Sequence, residues 1–397
     1  MNVLMATTFF PPHVGGAEYH VLNLSKHLAR RGHRITVLTS ALKKALSDSR
    51  YDLGKNIEIV EVKTYFLPAR PYQSLSSVGI TIRSQEKVRE LIEEKDIEIV
   101  HAHGHHYPLS WNTIKAAEAV HVPSVLTLHG LYALGPTGRF GRTIEELFNV
   151  VLFSRMLGKS TSVIGLTRTI TEYAKKYARE IDNRFYTIPN GVDVDKFLKA
   201  KPLKRFFRRK YDLPENATVF LYCGRFAEAK GVLEFAKAAS LFAKRCKQAF
   251  FLFVGGGPLS AQLNKWLETN RGMDSKIVGW VPNSEIHELY IASDFYVLPS
   301  KWEALPITII EALASGLHIV ATPVGGIPDV LLHYPRKTYI RGFSSTKIAD
   351  ALEDAYSNFD VTNAHATPES LENFDWSYIT TEIEKVYYEA LEHGPND

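Results

Sequence analysis

The chain has 397 residues, 45% of them hydrophobic and 23% charged. This is ordinary globular usage, and at about 150 residues per domain it predicts two or three domains and excludes a single small module. A formal charge of +4 is too slight for a dedicated nucleic-acid binder. Two cysteines, Cys223 and Cys246, both within apparently regular structure, exclude a disulfide framework and a cysteine zinc site and fit a cytosolic protein.

The first ten residues carry no basic leader and run into Pro11-Pro12, so they read as a buried first strand and not as a signal peptide. Short apolar runs bounded by turn residues follow at 35–38, 57–62, 97–100, 124–128, 163–166 and 185–188, alternating with helical patterns. With 3–6 these make seven candidate parallel strands. Between the first two, Ala17, Val21, Leu24 and Leu28 recur at helical spacing and Gly32 supplies the stop, which completes a βαβ unit.

The periodicity lapses over 189–202 and restarts with strands at 219–223, 250–254, 276–278, 295–298, 318–321 and 338–340. Strands covered on both faces by crossover helices read as near-continuous apolar runs, and these do. The expectation is an α/β protein of two doubly wound, Rossmann-like domains, residues 1–200 and 201–375, facing across a cleft where ligands belong. A final helix pattern over 376–392 is free to return to the first domain; the sequence does not place it. The longest charge-free stretches, such as 312–328, are broken by Gly, Pro and His318, so no transmembrane helix is expected, since a span needs about 20 continuous apolar residues.

Several motifs sit at predicted strand ends. His13, Gly15, Gly16, Ala17 and Glu18 lead from the first strand into the first helix, where free N–H groups and the helix dipole favour an anion. A plain strand-to-helix turn is the bland alternative, and the spacing is not GxGxxG. In the second domain Gly224-Arg225 follows the first strand and Lys230-Gly231 opens the next helix. Two cations five residues apart suit a diphosphate, Arg as a rigid fork and Lys as a compact charge; alone, they would read as solvated loop cations. Glu303 and Glu311 stand eight residues apart after the strand ending at Ser300, with Glu303 ahead of a helix starting near Ile307 and Glu311 inside it. A carboxylate accepts two hydroxyl hydrogen bonds at once, which suits ribose or sugar diols. The apolar setting Ile309-Ile310-Glu311-Ala312-Leu313 predicts a buried Glu311 that needs partners.

Taken together, Gly15-Gly16, Thr127-Leu128-His129-Gly130, Ile188-Pro189-Asn190-Gly191-Val192-Asp193, Gly224-Arg225 with Lys230-Gly231, Val254-Gly255-Gly256-Gly257-Pro258, Gly279-Trp280-Val281-Pro282 and Glu303 to Glu311 occur in family order. The chain resembles the GT4 family of retaining, nucleotide-sugar-dependent glycosyltransferases with the GT-B fold, over about residues 3–332. The resemblance implies that Arg225 and Lys230 hold the donor diphosphate and that Gly15 and Gly16 touch it from the acceptor-side first domain. It also implies that Glu311 binds ribose hydroxyls, that Gly255, Val281 and Pro282 border the nucleotide, that His129 lies near the donor sugar's outer hydroxyl, and that Glu303 meets its 3- and 4-hydroxyl edge. The implied catalytic residues are His129, Arg225, Lys230 and Glu303. Ala304 and Pro306 stand where the family more often has glycines, and Pro306 removes one backbone N–H.

His101, His103, His105 and His106 invite a metal reading, but with no carboxylate or cysteine near them in sequence they are read as following a strand end, and no metal site is expected. Asp193-Val194-Asp195 imitates a DxD metal motif of another fold; its place at the interdomain crossing argues against that role. The basic, aromatic segment 201–211 reads as a solvated helix with Phe206 and Phe207 packed inward. Residues 131–157, with Leu147, Val150, Val151, Phe153 and Leu157, read as an acceptor lid, a membrane-touching helix or a plain amphipathic surface helix.

The resulting expectation is a metal-independent retaining hexosyltransferase with no cofactor, using a UDP or GDP sugar and an acceptor hydroxyl of a glycolipid, polysaccharide or small molecule. It would be cytoplasmic or peripheral at the inner membrane face, in cell-envelope glycan or glycolipid synthesis. His101-Ala102-His103, Thr127-Leu128-His129 and Val324-Gly325-Gly326-Ile327-Pro328 are similar in layout to transferases that build glycolipid anchors. The rival readings are a sugar-nucleotide epimerase of the same fold, which would consume donor without acceptor, and a non-catalytic sugar-binding protein.

Overall fold

The computed structural model describes residues 1–11, 13, 15–41, 53–66, 79–81, 83–130, 139–178, 184–270, 272–359 and 369–394. They form two compact units, the first made of Met1–Gly191 and Trp376–Asp397, the second of Val192–Asp375.

The first unit holds β1 (Asn2–Ala6), β2 (Arg34–Ser40), β3 (Ile57–Val62), β4 (Thr64–Phe66), β5 (Gly79–Thr81), β6 (Ile99–His103), β7 (Ser124–Leu128), β8 (Ser162–Gly165) and β9 (Phe185–Thr187). Seven of these form one parallel sheet in the order β3-β2-β1-β6-β7-β8-β9, while β4 and β5 pair antiparallel apart from it. Val3, Leu4, Met5 and Ala6 are fully buried, as a central strand covered by helices on both faces requires. The helix Gly16–Arg30 follows β1 and turns Val21, Leu24 and Leu28 onto the sheet. The order reverses at β1 and β6, the switch point where open α/β sheets leave a crevice beyond their strand ends.

One correction concerns the histidines. His101 and His103 lie inside β6 and do not follow it, because the fold satisfies the polar ring of His101: one nitrogen bonds the Tyr387 hydroxyl and the other the Thr127 hydroxyl, both at 2.7 Å. Their polarity had ended the apolar run at Val100.

The last helix, Trp376–His393, lies in the first unit and packs Ile379, Ile383, Val386 and Tyr387 against Val3, Met5 and Val21. Its Glu384 accepts from His33 at 2.7 Å. The units divide at 191/192, nine residues before the expected 200/201, because Phe197 of the helix Val194–Ala200 packs on His287 and Tyr290 of the second unit.

The second unit contains β10 (Thr218–Cys223), β11 (Ala249–Val254), β12 (Asp274–Gly279), β13 (Phe295–Leu298), β14 (His318–Ala321) and β15 (Lys337–Tyr339). They pair parallel in the order β12-β11-β10-β13-β14-β15, so this sheet switches between β10 and β13. Phe220 anchors the core, its ring 4.5 Å from that of Phe295 and 5.5 Å from that of Phe251 on the flanking strands. In the helix Lys204–Lys210, Phe207 points inward, but Phe206 is 61% exposed, correcting the expectation that both aromatics are packed. The inward face also carries Arg208, buried and paired with Asp294 at 2.7 Å. No helix among the described residues is long and apolar enough to cross a membrane.

Candidate active site

Apart from Glu311, each nucleotide-binding residue expected in the second unit lies in a loop beyond the C-terminal end of one of its strands. Arg225 and Lys230 follow β10, Gly255 follows β11, Val281 and Pro282 follow β12, and Glu303 follows β13. Backbone hydrogen bonds lace these loops together: Gly224 N to Val254 O at 3.0 Å, Gly255 N to Gly279 O at 2.7 Å and Lys301 N to Ala229 O at 2.8 Å. Gly255 has φ +127, and a Cβ there would collide with the carbonyl of Gly224, so this lacing requires glycine. Gly231, at φ +69, is equally constrained by the carbonyl of Pro299.

Lys230 ends a short 3₁₀ turn, Glu228–Lys230, and its Nζ donates to both oxygens of Glu303 at 2.7 and 2.6 Å. The Glu303 side chain is 6% exposed and that of Lys230 32%, so the carboxylate lies inside and the ammonium at the rim. Arg225 is exposed, and its side chain makes no hydrogen bond or ion pair among the described residues. An exposed guanidinium with no partner among the described residues is able to take up an anion.

Glu311 lies inside the helix Ile307–Ser315, buried among Ile309, Ile310, Ala312 and Leu313. Burial pushes its carboxyl up to about 7, partly opposed by Tyr290 and by the charge of Lys196. Sequence reasoning missed both of those partners, which come from other helices and carry no motif. Pro306 occupies the N-cap of this helix, and its carbonyl accepts from Ile309 N at 3.1 Å. Val281 is half-buried and Pro282 exposed, and the Pro282 carbonyl accepts from Glu285 N and Ile286 N, which starts the next helix. Asp193 is an N-cap, accepting from Lys196 N at 3.1 Å, and Asp195 pairs with Lys199, which gives both aspartates of the DxD look-alike structural work.

In the first unit, Gly15 is the extended N-cap of the helix Gly16–Arg30. The Glu18 carboxylate folds back over Gly15 and meets His13 Nδ1 at 2.9 Å, so the helix start already faces an acidic group. His129 follows β7 and shares a hydrogen bond with His103 Nδ1 at 3.1 Å. His20, one turn beyond Gly16, completes a group that sequence reasoning missed: one nitrogen from each of His20, His103 and His129 lies within 4.8 Å of the other two. The shared i, i+4 face of Gly16 and His20 was the available signal. Of 131–157, residues 131–138 lie outside the described residues; the rest is the helix Arg139–Phe148, a π-helical turn Asn149–Phe153 and the helix Ser154–Lys159. Phe153 and Leu157 are buried, whereas Leu147, Val150 and Val151 are exposed.

Two parallel-sheet Rossmann-like units, the second with cations and buried carboxylates after its strands, make an α/β protein of the GT-B kind. Residues 14–196 match the family described as Glycosyltransferase Family 4, and residues 204–366 match Glycosyl transferases group 1. The chain is 26% identical to a phosphatidylinositol N-acetylglucosaminyltransferase subunit of Arabidopsis thaliana, over 98% of this chain and 82% of that one. It is also 26% identical to the putative teichuronic acid biosynthesis glycosyltransferase TuaC of Bacillus subtilis, over 89% and 88%. The fold matches that of Anabaena Alr3699/HepE, solved in complex with UDP and glucose, with a TM-score of 0.72 at 17% identity over 98% and 100% of the two chains. The chain belongs to the GT4-type glycosyltransferases.

Proposed function

We propose that this glycosyltransferase moves a sugar, with retention, from a nucleoside diphosphate to a hydroxyl of a glycolipid or polysaccharide. The observation that carries the reading is the group after the strands of the second unit: an Arg225 with no partner among the described residues, Lys230 held on Glu303, and Glu311 buried within its helix. In the donor complex Lys230 exchanges Glu303 for the diphosphate, and Arg225 supplies a second cation. Glu303 is thereby released to accept hydrogen bonds from the sugar's 3- and 4-hydroxyls, and ionised Glu311 accepts those of the ribose.

The bond from the anomeric carbon to the phosphate oxygen breaks as the acceptor oxygen bonds on the same face, and the departing phosphate oxygen takes the acceptor's proton. Two fixed cations stabilise the charge that develops on the leaving diphosphate, so this step calls for no divalent ion. UDP is the preferred donor nucleotide, supported by the UDP complex of the Anabaena neighbour. A lipid or envelope-glycan acceptor is supported by the names of the plant and Bacillus relatives. On this reading the exposed apolar residues after Arg139 make a peripheral contact with a membrane surface.

The test is release of nucleoside diphosphate from a panel of UDP, GDP and ADP sugars, with and without polyprenyl-phosphate-linked, phosphatidylinositol and glycan acceptors. Acceptor-dependent release from a UDP sugar, with the anomeric configuration kept in the product, is expected. Acceptor-independent consumption, or an inverted product, would overturn the proposal.

A further inference from the structure

We propose that His20, His103 and His129 form a three-imidazole site for a zinc-class divalent cation in the first unit, a binding function separate from the donor reading. The three rings come from three elements. His20 is on the helix that follows β1, His103 is the last residue of β6, and His129 stands just past β7, so they converge on the switch point of the sheet.

Their ring centres form a nearly equilateral triangle, 5.0 Å between His20 and His129, 5.3 Å between His103 and His129, and 5.7 Å between His20 and His103. A metal bound at about 2.0–2.1 Å by imidazole nitrogens lies about 3.2 Å from each ring centre, and tetrahedral angles then put those centres about 5.2 Å apart. The observed triangle has that size before any ion enters. The His103 to His129 nitrogen distance, 3.1 Å, is also close to the roughly 3.3 Å that two ligands of a tetrahedral ion adopt.

Hydrogen bonding separates His20 from a histidine held on both sides. His101, beside His103, has both nitrogens engaged, by Tyr387 and Thr127. Neither nitrogen of His20 has a hydrogen-bond partner in good geometry, although Asn190 stands beside the ring, and Nε2 of His103 has none. Both residues are 1% exposed, so these nitrogens are cut off from water. Buried polar atoms in folded proteins are nearly always satisfied, so the bare nitrogens of His20, beside two other imidazoles, leave room for a shared partner.

The protonation state suits a cation. Burial pulls His20 down to about 4, and burial with neighbouring imidazoles holds His103 and His129 well below the usual histidine range. All three are therefore neutral at pH 7 and bind a metal without first losing a proton. Imidazole-only coordination selects zinc, copper or nickel over magnesium or calcium, and three protein ligands leave a fourth position for water or a substrate hydroxyl. His129, the half-buried member, is the side from which that ligand enters.

The experiment is a titration of tag-free, chelator-stripped full chain with ZnCl2, followed by zinc X-ray absorption on the loaded wild-type protein. One zinc per chain is expected, with three imidazole nitrogens at about 2.0–2.1 Å in its first shell. His20→Gln and His103→Gln should each weaken zinc binding at least tenfold, while His333→Gln, at an exposed histidine of the second unit, leaves it unchanged. Absence of stoichiometric zinc, a first shell of oxygens or with fewer than three imidazoles, or undiminished affinity in a folded His20→Gln protein would each overturn the proposal. The absorption spectrum decides on wild-type protein if the variants fail to fold.

Discussion

Lys230 and Glu303 neutralise each other across 2.6 and 2.7 Å, and both are residues the donor would claim. Lys230→Ala removes the one cation found, among the described residues, on a carboxylate whose side chain is 6% exposed. It should destabilise the fold by about 1–3 kcal/mol, below the cost of breaking a fully buried pair because the lysine is at the rim. The double variant Lys230→Ala with Glu303→Gln should recover most of that stability. Turnover should fall about 10²–10³-fold in both proteins. Urea unfolding and a turnover assay separate the two effects; recovery of turnover along with stability would show the pair to be structural.

Arg225 gives the complementary case. It is exposed and unpaired among the described residues, so Arg225→Ala should shift stability by no more than about 0.5 kcal/mol. Donor turnover should nevertheless fall about 100-fold. A variant that turns over donor at the wild-type rate would remove Arg225 from the site.

Glu311 imposes a pH dependence of definite sign. Its folded value of about 7 lies above the ordinary 4.5, so between these values the folded chain keeps a proton that the unfolded chain has lost. Stability contributed by Glu311 therefore falls as pH rises from 4.5 to 7, by up to about 3 kcal/mol. Glu311→Gln should flatten that slope, as read from urea midpoints at pH 5 and pH 8. Nucleoside diphosphate should bind wild type more weakly below pH 7, where the carboxyl is protonated and accepts fewer ribose hydrogen bonds.

Gly255→Ala tests the loop lacing without touching a charge. With φ +127 and the Gly224 carbonyl in the path of the new Cβ, the substitution should cost about 2 kcal/mol or more and weaken nucleotide binding. A stable variant with unchanged nucleotide affinity would show that the loop relaxes freely.

Leu147, Val150 and Val151 test the peripheral contact. Wild type should float with anionic vesicles at low salt, and Leu147→Glu with Val151→Glu should not, since each change removes exposed apolar area and adds repulsion. Failure of wild type to float would remove the contact.

The strands were legible because parallel strands buried on both faces are apolar throughout: β7, β13 and β14 begin and end where the sequence predicts. β6 was cut short because His101 and His103 look polar in sequence, whereas the fold satisfies His101 through Thr127 and through Tyr387, 286 residues away. The helix starting at Ile307 and the burial of Glu311 were equally legible from local pattern. The ion pair of Lys230 and the grouping of His20 with His103 and His129 were not, since each depends on which strand ends the topology makes adjacent. Phe206 and Phe207 show the same limit at smaller scale, because neighbours in a short helix point to different faces.

The central claim is that the strand ends of the second unit bind a nucleoside diphosphate through Arg225 and Lys230. Thermal unfolding of wild type and Arg225→Ala with UDP, GDP, ADP, CMP and NAD tests it most directly, because a ligand at 100 times its dissociation constant adds about 2.7 kcal/mol of stability. Stabilisation by UDP that is lost in the variant is the predicted result. No shift with any nucleoside diphosphate, a shift with NAD alone, or a UDP shift undiminished in Arg225→Ala would contradict the account.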